Sequence, residues 1–167
     1  VYMLSIEHYE RASKRVSYNH ITGRFSHKVK SNVRNIGDSA GWKSNEGYIR
    51  LMSGKVKITA HRLAYYIMEG ELPECVDHIN GIRDDNRWIN IRGCTNAENS
   101  RNRGMSKANT SGYRGVHRRK DGSWRVCITT NGNRFNKSGF STAEAANLWA
   151  VDYYREVHGD FYNEQRC

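Results

Sequence analysis

Within residues 75–103 (CVDHINGIRDDNRWINIRGCTNAENSRNR) a carboxylate and an imidazole stand side by side, Asp77-His78, and two carboxamides follow, Asn90 and Asn99. A histidine with an unperturbed pKa near ~6.5 can take a proton from water at neutral pH, which makes His78 a candidate general base. The oxygens of Asp77 and Asn99 are hard ligands that suit Mg²⁺ or Mn²⁺ better than zinc. Asn90 is expected to brace the hairpin behind His78 without touching substrate. Asn99 falls in the first turn of an expected helix, where unpaired N–H groups and the helix dipole favour an anion such as phosphate.

The elements around these residues must bring them to one point. A strand over Cys75–Ile79 enters a loop at Asn80-Gly81, a second strand over Ile89–Arg92 returns, and Thr95 with Glu98 forms a capping box that opens a helix. Neighbouring strand residues point to opposite faces, so Asp77 and His78 can serve together only if the strand twists or ends there. Asn80-Gly81 supplies such an ending. Upstream, residues 16–30 read as a hairpin turning over Asn19–Gly23. Gly47–Leu51 and Val56–Thr59 read as a second hairpin turning at Ser53-Gly54. A helix over Ala60–Met68 carries Leu63, Ala64, Ile67 and Met68 on one face and stops at Gly70. His61 is expected to pack in that helix, and Arg62 is the phosphate candidate. Asp84 and Asp85 read as a solvated loop, and their spacing from Asp77 fails the EF-hand pattern. His8, His20, His27 and His158 belong to no constellation.

This stretch resembles the His-Asn-His (HNH) endonucleases with their ββα-metal fold. His78 matches the first signature histidine, Asn90 the central asparagine twelve residues on, and Asn99 the third position, where a phage and homing-type subgroup has asparagine. Ala60 to Arg92 resembles that subgroup closely, including the hairpin-then-helix layout before it, and the likeness spans about residues 16–103. It implies phosphodiester hydrolysis, which needs an activated water and a cation to offset charge on the phosphate and leaving oxygen. A single active site implies nicking, or two successive cuts, and the resemblance implies 5′-phosphate and 3′-hydroxyl products.

The charge points to a nucleic-acid partner. The 167 residues carry a net charge of +10, and +9 of it lies in residues 101–137, where ten cations face only Asp121. Such a segment is an electrostatic footprint for a polyanion. The 18 aromatic residues argue against a disordered chain. No apolar run approaches a membrane span and no secretory leader pattern appears, so a cytoplasmic location is expected, in the bacterial host if phage-encoded. Cys75, Cys94, Cys127 and Cys167 include no C-x-x-C pair, so no structural zinc is expected. Cys75 and Cys94 can approach across a hairpin, with a reduced pair favoured.

Residues 104–110 read as part of a basic linker between an endonuclease domain over 1–103 and a second domain over 111–163. In the second, strands are expected over 113–119, 123–130 and 133–140. A helix capped by Ser141 and Glu144 then runs to about Val157, with a stripe of Ala146, Trp149, Ala150, Tyr153 and Val157. Packing that stripe on the Trp124, Val126 and Ile128 face leaves the Arg125, Cys127 and Thr129 face exposed. The fold class is therefore α+β: a ββα-metal unit preceded by hairpins and a helix, then a three-stranded antiparallel sheet with one helix.

Residues 111–163 resemble the APETALA2-type DNA-binding domains through Tyr113-Arg114-Gly115-Val116, Trp124, Ile128, Gly139-Phe140, Thr142–Ala146 and Gly159. The resemblance implies DNA contacts by Arg114, Gly115, His117, Arg119 and Arg134. Arg118 and Arg125 are added on charge and face, and Arg101 and Arg103 on charge. Asp121, Cys127, Thr129 and Asn136 depart from the plant pattern, so its base preference does not transfer. The whole reads as a divalent-metal-dependent endonuclease acting on double-stranded DNA, a monomer without a small-molecule cofactor. The competing reading is a DNA-binding regulator with an inactive nuclease scaffold; a structured-RNA binder or nuclease is weaker.

Overall fold

The computed structural model describes residues 5–101, 105, 108–130 and 132–159, without the side chains of Arg101 and His158. Arg103, Lys107 and Cys167 lie outside the described residues. The chain divides into two compact units, one ending at Asn96 and the other starting at Ala97. The architecture is α+β, with four small antiparallel sheets among the described residues. Among the described residues no helix is long and apolar enough to cross a membrane.

The first unit opens with α1 (Ile6–Ser13), a helix the sequence pattern does not announce. Only Tyr9 and Ala12 are buried on it, too few for a readable apolar stripe. The hairpin β1 (Val16–Asn19) and β2 (Arg24–His27) follows, in the register Val16–His27 to Asn19–Arg24. A three-stranded sheet is built from β3 (Trp42–Lys43), β4 (Ile49–Ser53) and β5 (Val56–Thr59), with β4 central. Helix α2 (Ala60–Glu69) starts directly from β5 and stops at Gly70, whose φ of 79° closes the helix with its N–H on the Tyr66 carbonyl. Tyr9, Phe25, Leu51, Ile58, Leu63, Ala64, Val76 and Ile91 belong to the core of this unit.

Residues 75–94 pair β6 (Cys75–His78) with β7 (Ile91–Cys94). The return strand begins two residues later than the sequence suggests. Trp88–Asn90 form a 3₁₀ turn, and Ile89 is 83% exposed, so it is no strand residue of a buried face. Cys75 and Cys94 are opposite in register and both are free thiols, with Cys75 donating to the Asn96 carboxamide oxygen. Helix α3 (Asn96–Arg101) begins at a residue tied back to β6. The Asn96 side-chain amide and backbone N–H both donate to the Glu74 carboxylate.

The second unit contains β8 (Val116–Arg118), β9 (Trp124–Thr130) and β10 (Asn133–Phe140), ordered β10-β9-β8, with α4 (Ala143–His158) packed against them. Strand β8 starts later than expected because Gly115, at φ 71°, lies against the Tyr154 hydroxyl and the Cys127 carbonyl, leaving no room for a Cβ. The N-cap of α4 is Thr142, not Ser141: its hydroxyl accepts from the Ala145 N–H at 3.1 Å. The buried stripe runs through Ala143, Ala146, Ala150 and Tyr154 against Val116, Val126 and Ile128. Trp149 and Tyr153 flank it and stack on Phe135 at 5.4 and 4.8 Å, while Val157 lies outside this core. Arg125 and Thr129 are exposed on the far face of the sheet.

Candidate active site

His78 is the last residue of β6, and both it and Asp77 are still paired in the ladder, opposite Ile91 and Arg92. Asp77 and His78 are both buried, at 9% and 4% exposure. Asp77 faces Arg92 across the β6–β7 ladder and accepts from its guanidinium at 3.2 Å. The chain then turns: the Gly81 N–H donates to the His78 carbonyl at 2.9 Å, and Gly81 takes a φ of 70°.

Asn90 ties this loop together from inside. Its side-chain oxygen accepts from the Asn80 N–H at 2.9 Å and its amide donates to the Asp85 carbonyl at 2.8 Å, while its own carbonyl accepts from the Ile79 N–H. Asp85 receives Arg87 through two nitrogens at 2.7 and 2.6 Å. That guanidinium, helped by the Asn80 amide, pulls the Asp85 carboxyl down to about 2. Asp85 is thus a structural anion of the loop, where the sequence suggested simple solvation.

The loop delivers a residue that sequence reasoning missed. Asn86, 2% exposed, lies with its side-chain oxygen 3.1 Å from His78 Nε2. The Asn86 amide nitrogen donates to the Asp84 carbonyl at 3.3 Å, which leaves the oxygen facing the imidazole. The ring must therefore donate, so Nε2 carries the proton and Nδ1 is the basic nitrogen of the neutral ring. The loop is held from behind by the β1–β2 hairpin, where the Tyr18 hydroxyl donates to the Asn86 carbonyl at 2.6 Å. Burial, with a smaller push from Asp85, raises the Tyr18 phenol to about 12, so it stays a donor. No sequence spacing marks Asn86, because its partner is reached only through the folded loop.

His61, expected to pack in α2, packs against the site itself. Its ring meets that of His78 edge-on at 4.7 Å, with Tyr48 5.4 Å from His61 and 6.1 Å from His78. Its Nδ1 is buried without a hydrogen-bond partner among the described residues. Burial, reinforced by the neighbouring His78, lowers His61 to about 3, so it is neutral at any working pH. Burial also lowers His78 below its ordinary value, against the Asn86 hydrogen bond and the nearby carboxylates, which raise it. His78 is consequently unprotonated, and able to accept a proton, at neutral pH.

The other expected site residues are placed as follows. Arg62 donates to the carbonyls of Glu74 and Pro73 at 3.2 and 3.5 Å, and its guanidinium lies 5.9 Å from the Tyr9 ring centre. It clasps the loop after α2 to the core. Asn99 lies on α3, in the second unit. In that unit His117, Arg125 and Arg134 are exposed, with His117 opposite Arg125 in register and Arg134 donating to Cys127 Sγ at 3.0 Å. Arg118 and Arg119 are exposed as well, Arg118 over the Trp124 ring at 6.0 Å and Arg119 paired with Asp121 at 3.6 Å, while Arg114 lies over Tyr154 at 5.3 Å. Gly115 packs tightly at its α-carbon against Tyr154 and Cys127. Among the described residues no group of three or more His, Cys, Asp or Glu side chains gathers as a metal cluster.

A family model for HNH endonucleases matches residues 59–101, the segment that holds His61, Asp77, His78, Asn86 and Asn90. Over 104 residues the chain is also 31% identical to "Protein 3.8" of Escherichia phage T7, covering 60% of this chain and 85% of that one. The chain belongs to this HNH endonuclease family. No solved structure matches it.

Proposed function

We propose that the protein is a divalent-metal-dependent DNA endonuclease in which His78 is the general base. The observation that carries this reading is the buried, neutral His78 imidazole at the end of β6, with its Nε2–H held by Asn86 and Asp77 beside it. In this mechanism Nδ1 of His78 takes the proton from the attacking water, and Asn86 fixes the tautomer that makes Nδ1 basic. Asn90 keeps the loop closed behind the ring, and neutral His61 adds no charge that would compete with the proton.

The buried Asp77 carboxylate suits a hard divalent ion, and Asn99 is the second oxygen donor that the HNH resemblance assigns. Mg²⁺ is commonly held by one or two carboxylates plus water and substrate phosphates, so one carboxylate with a carboxamide would be a sufficient donor set. When bound, the ion would offset charge developing on the phosphate and the leaving oxygen. The second unit would anchor the enzyme on double-stranded DNA through the exposed face carrying His117, Arg125 and Arg134. A three-stranded sheet backed by one helix, in the chain's basic stretch, supports the APETALA2-type reading of that unit.

Supercoiled plasmid incubated with Mg²⁺, Mn²⁺ or chelator tests the proposal. Nicking or linearisation with metal, abolished by chelator and by His78→Ala while plasmid binding persists, is the expected result. Binding without cleavage under every metal would favour the regulator with an inactive nuclease scaffold, and cleavage by His78→Ala at the native rate would remove His78 as the base.

A further inference from the structure

A second site lies in the first unit, entirely before residue 59 where the family match begins. A cavity of about 590 Å³ opens between α1, the β1–β2 hairpin and the β3–β4 strands. Arg11, Arg15, Arg34, His27 and Trp42 line it, together with a small apolar floor that includes Leu51, and no carboxylate does. Within the described residues none of the three arginines makes an ion pair, whereas Lys43, Arg50, Arg87 and Arg92 of this unit each meet a carboxylate. Trp42 is 41% exposed. An indole and three guanidiniums lining one cavity offer a flat stacking surface and positive charge together.

We propose that this cavity binds an unpaired nucleotide of the substrate strand, one taken out of the duplex stack, with its base on Trp42 and its flanking phosphates on Arg11, Arg15 and Arg34. The volume falls in the range that holds a small-molecule-sized group. An aromatic platform edged by cations is how proteins hold unpaired bases without reading sequence. Trp42 and Lys43 are successive strand residues, so they project to opposite faces. Lys43 reaches Asp84, in the loop that carries Asn86 to His78, at 2.5 Å, while Trp42 lines the cavity. One short strand thus joins a strand-holding pocket to the loop behind the general base. An acidic peptide would satisfy the arginines but leave the indole without a stacking partner.

The inference rests on the nuclease reading for its substrate, and the experiment separates the two. The full chain, with chelator present so that no cleavage occurs, is irradiated with a short single-stranded oligonucleotide carrying 5-iododeoxyuridine, and the adduct is mapped by mass spectrometry. The expected adduct is on Trp42. Affinity for the same oligonucleotide should fall about tenfold in Trp42→Ala and be largely kept in Trp42→Phe. In Arg11→Ala/Arg34→Ala the salt slope should shrink by about 1.4, at roughly 0.7 for each lost contact to a single strand. Adducts confined to residues 116–138, or unchanged affinity in Trp42→Ala, would overturn the pocket whatever the plasmid assay shows. So would competition by poly-glutamate equal to that by an unlabelled oligonucleotide. Loss of plasmid nicking with the Trp42 adduct intact would sink only the nuclease reading.

Discussion

At the scale of single residues, the site is decided by two neighbours of His78 that carry no charge. Asn86 sets which imidazole nitrogen holds the proton. Asn86→Ala leaves Nε2–H without its acceptor and frees the ring to take the other tautomer. The expected result is a plasmid-nicking rate lowered about ten- to a hundredfold with substrate affinity little changed, measured as separate kcat and KM. Asn86→Asp should move the acid limb of the rate profile to higher pH, since a carboxylate at that atom favours imidazolium. In the native protein that limb should lie below pH 6.5, because burial holds His78 below its ordinary value and the base is active only when unprotonated.

His61 makes a second residue-scale prediction, on stability. Its folded pKa, about 3, is far below the 6.5 of an exposed histidine, so the unfolded chain binds the extra proton. Stability is therefore unaffected above pH 6.5 and is lost as pH falls below it. Between pH 7 and pH 5 this one group should cost about 2 kcal/mol by linkage. Urea unfolding of the native protein and of His61→Phe at both pH values checks it: the variant should lose less stability on acidification, and equal losses would assign the acid sensitivity elsewhere.

At the scale of elements, the decisive contact is between the β1–β2 hairpin and the loop between β6 and β7. Gly23, at φ 70° in the hairpin turn, lies so close to that loop that a Cβ would come within 2.5 Å of the Asn86 carbonyl carbon and the Arg87 nitrogen. Both obstacles are backbone, so neither can rotate away. Gly23→Ala should destabilise the first unit by about 2 kcal/mol or more, from the left-handed backbone and the clash together. Because the displaced segment carries Asn86, nicking should fall further than the thermal-melting shift alone accounts for. Melting followed by circular dichroism, set beside the nicking rate at a temperature where the variant is fully folded, measures the two losses separately.

The same contact shows how far the sequence can be read. The hairpins, α2 and β6 are legible because alternation and turn glycines act within a few residues. The Asp77-His78 pair with Asn90 at its spacing is likewise a local pattern. Tyr18 bonding the Asn86 carbonyl, and the rings of His61 and His78 at 4.7 Å, are products of topology, and no spacing encodes them. The start of the return strand is not legible, because Ile89 has the character of an apolar strand residue. The chain instead makes a 3₁₀ turn there to aim Asn90 inward, leaving Ile89 in solvent. Helix α1 escaped because its burial rests on Tyr9 and Ala12 alone.

At the scale of the whole molecule, charge and chemistry are allotted to different stretches. Residues 101–137 hold +9 of the chain's +10, whereas the groups proposed for proton transfer sit in the first unit. If the second unit's open sheet face supplies duplex affinity, its arginines should act on binding and not on the chemical step. Arg125 and Arg134 are exposed and lie outside the hydrophobic core of that unit, so removing them should not unfold it. Each phosphate contact to duplex DNA contributes about 0.9 to the slope of log affinity against log salt. Arg125→Ala/Arg134→Ala should therefore flatten that slope by about 1.8, measured by fluorescence anisotropy on a labelled duplex between 50 and 200 mM salt (roughly the range over which such contacts dominate). The nicking rate at saturating enzyme should stay at the native value. A slope that does not change would place the phosphate contacts elsewhere in the basic stretch, and a fall in the saturated rate would mean that this face also positions the scissile bond.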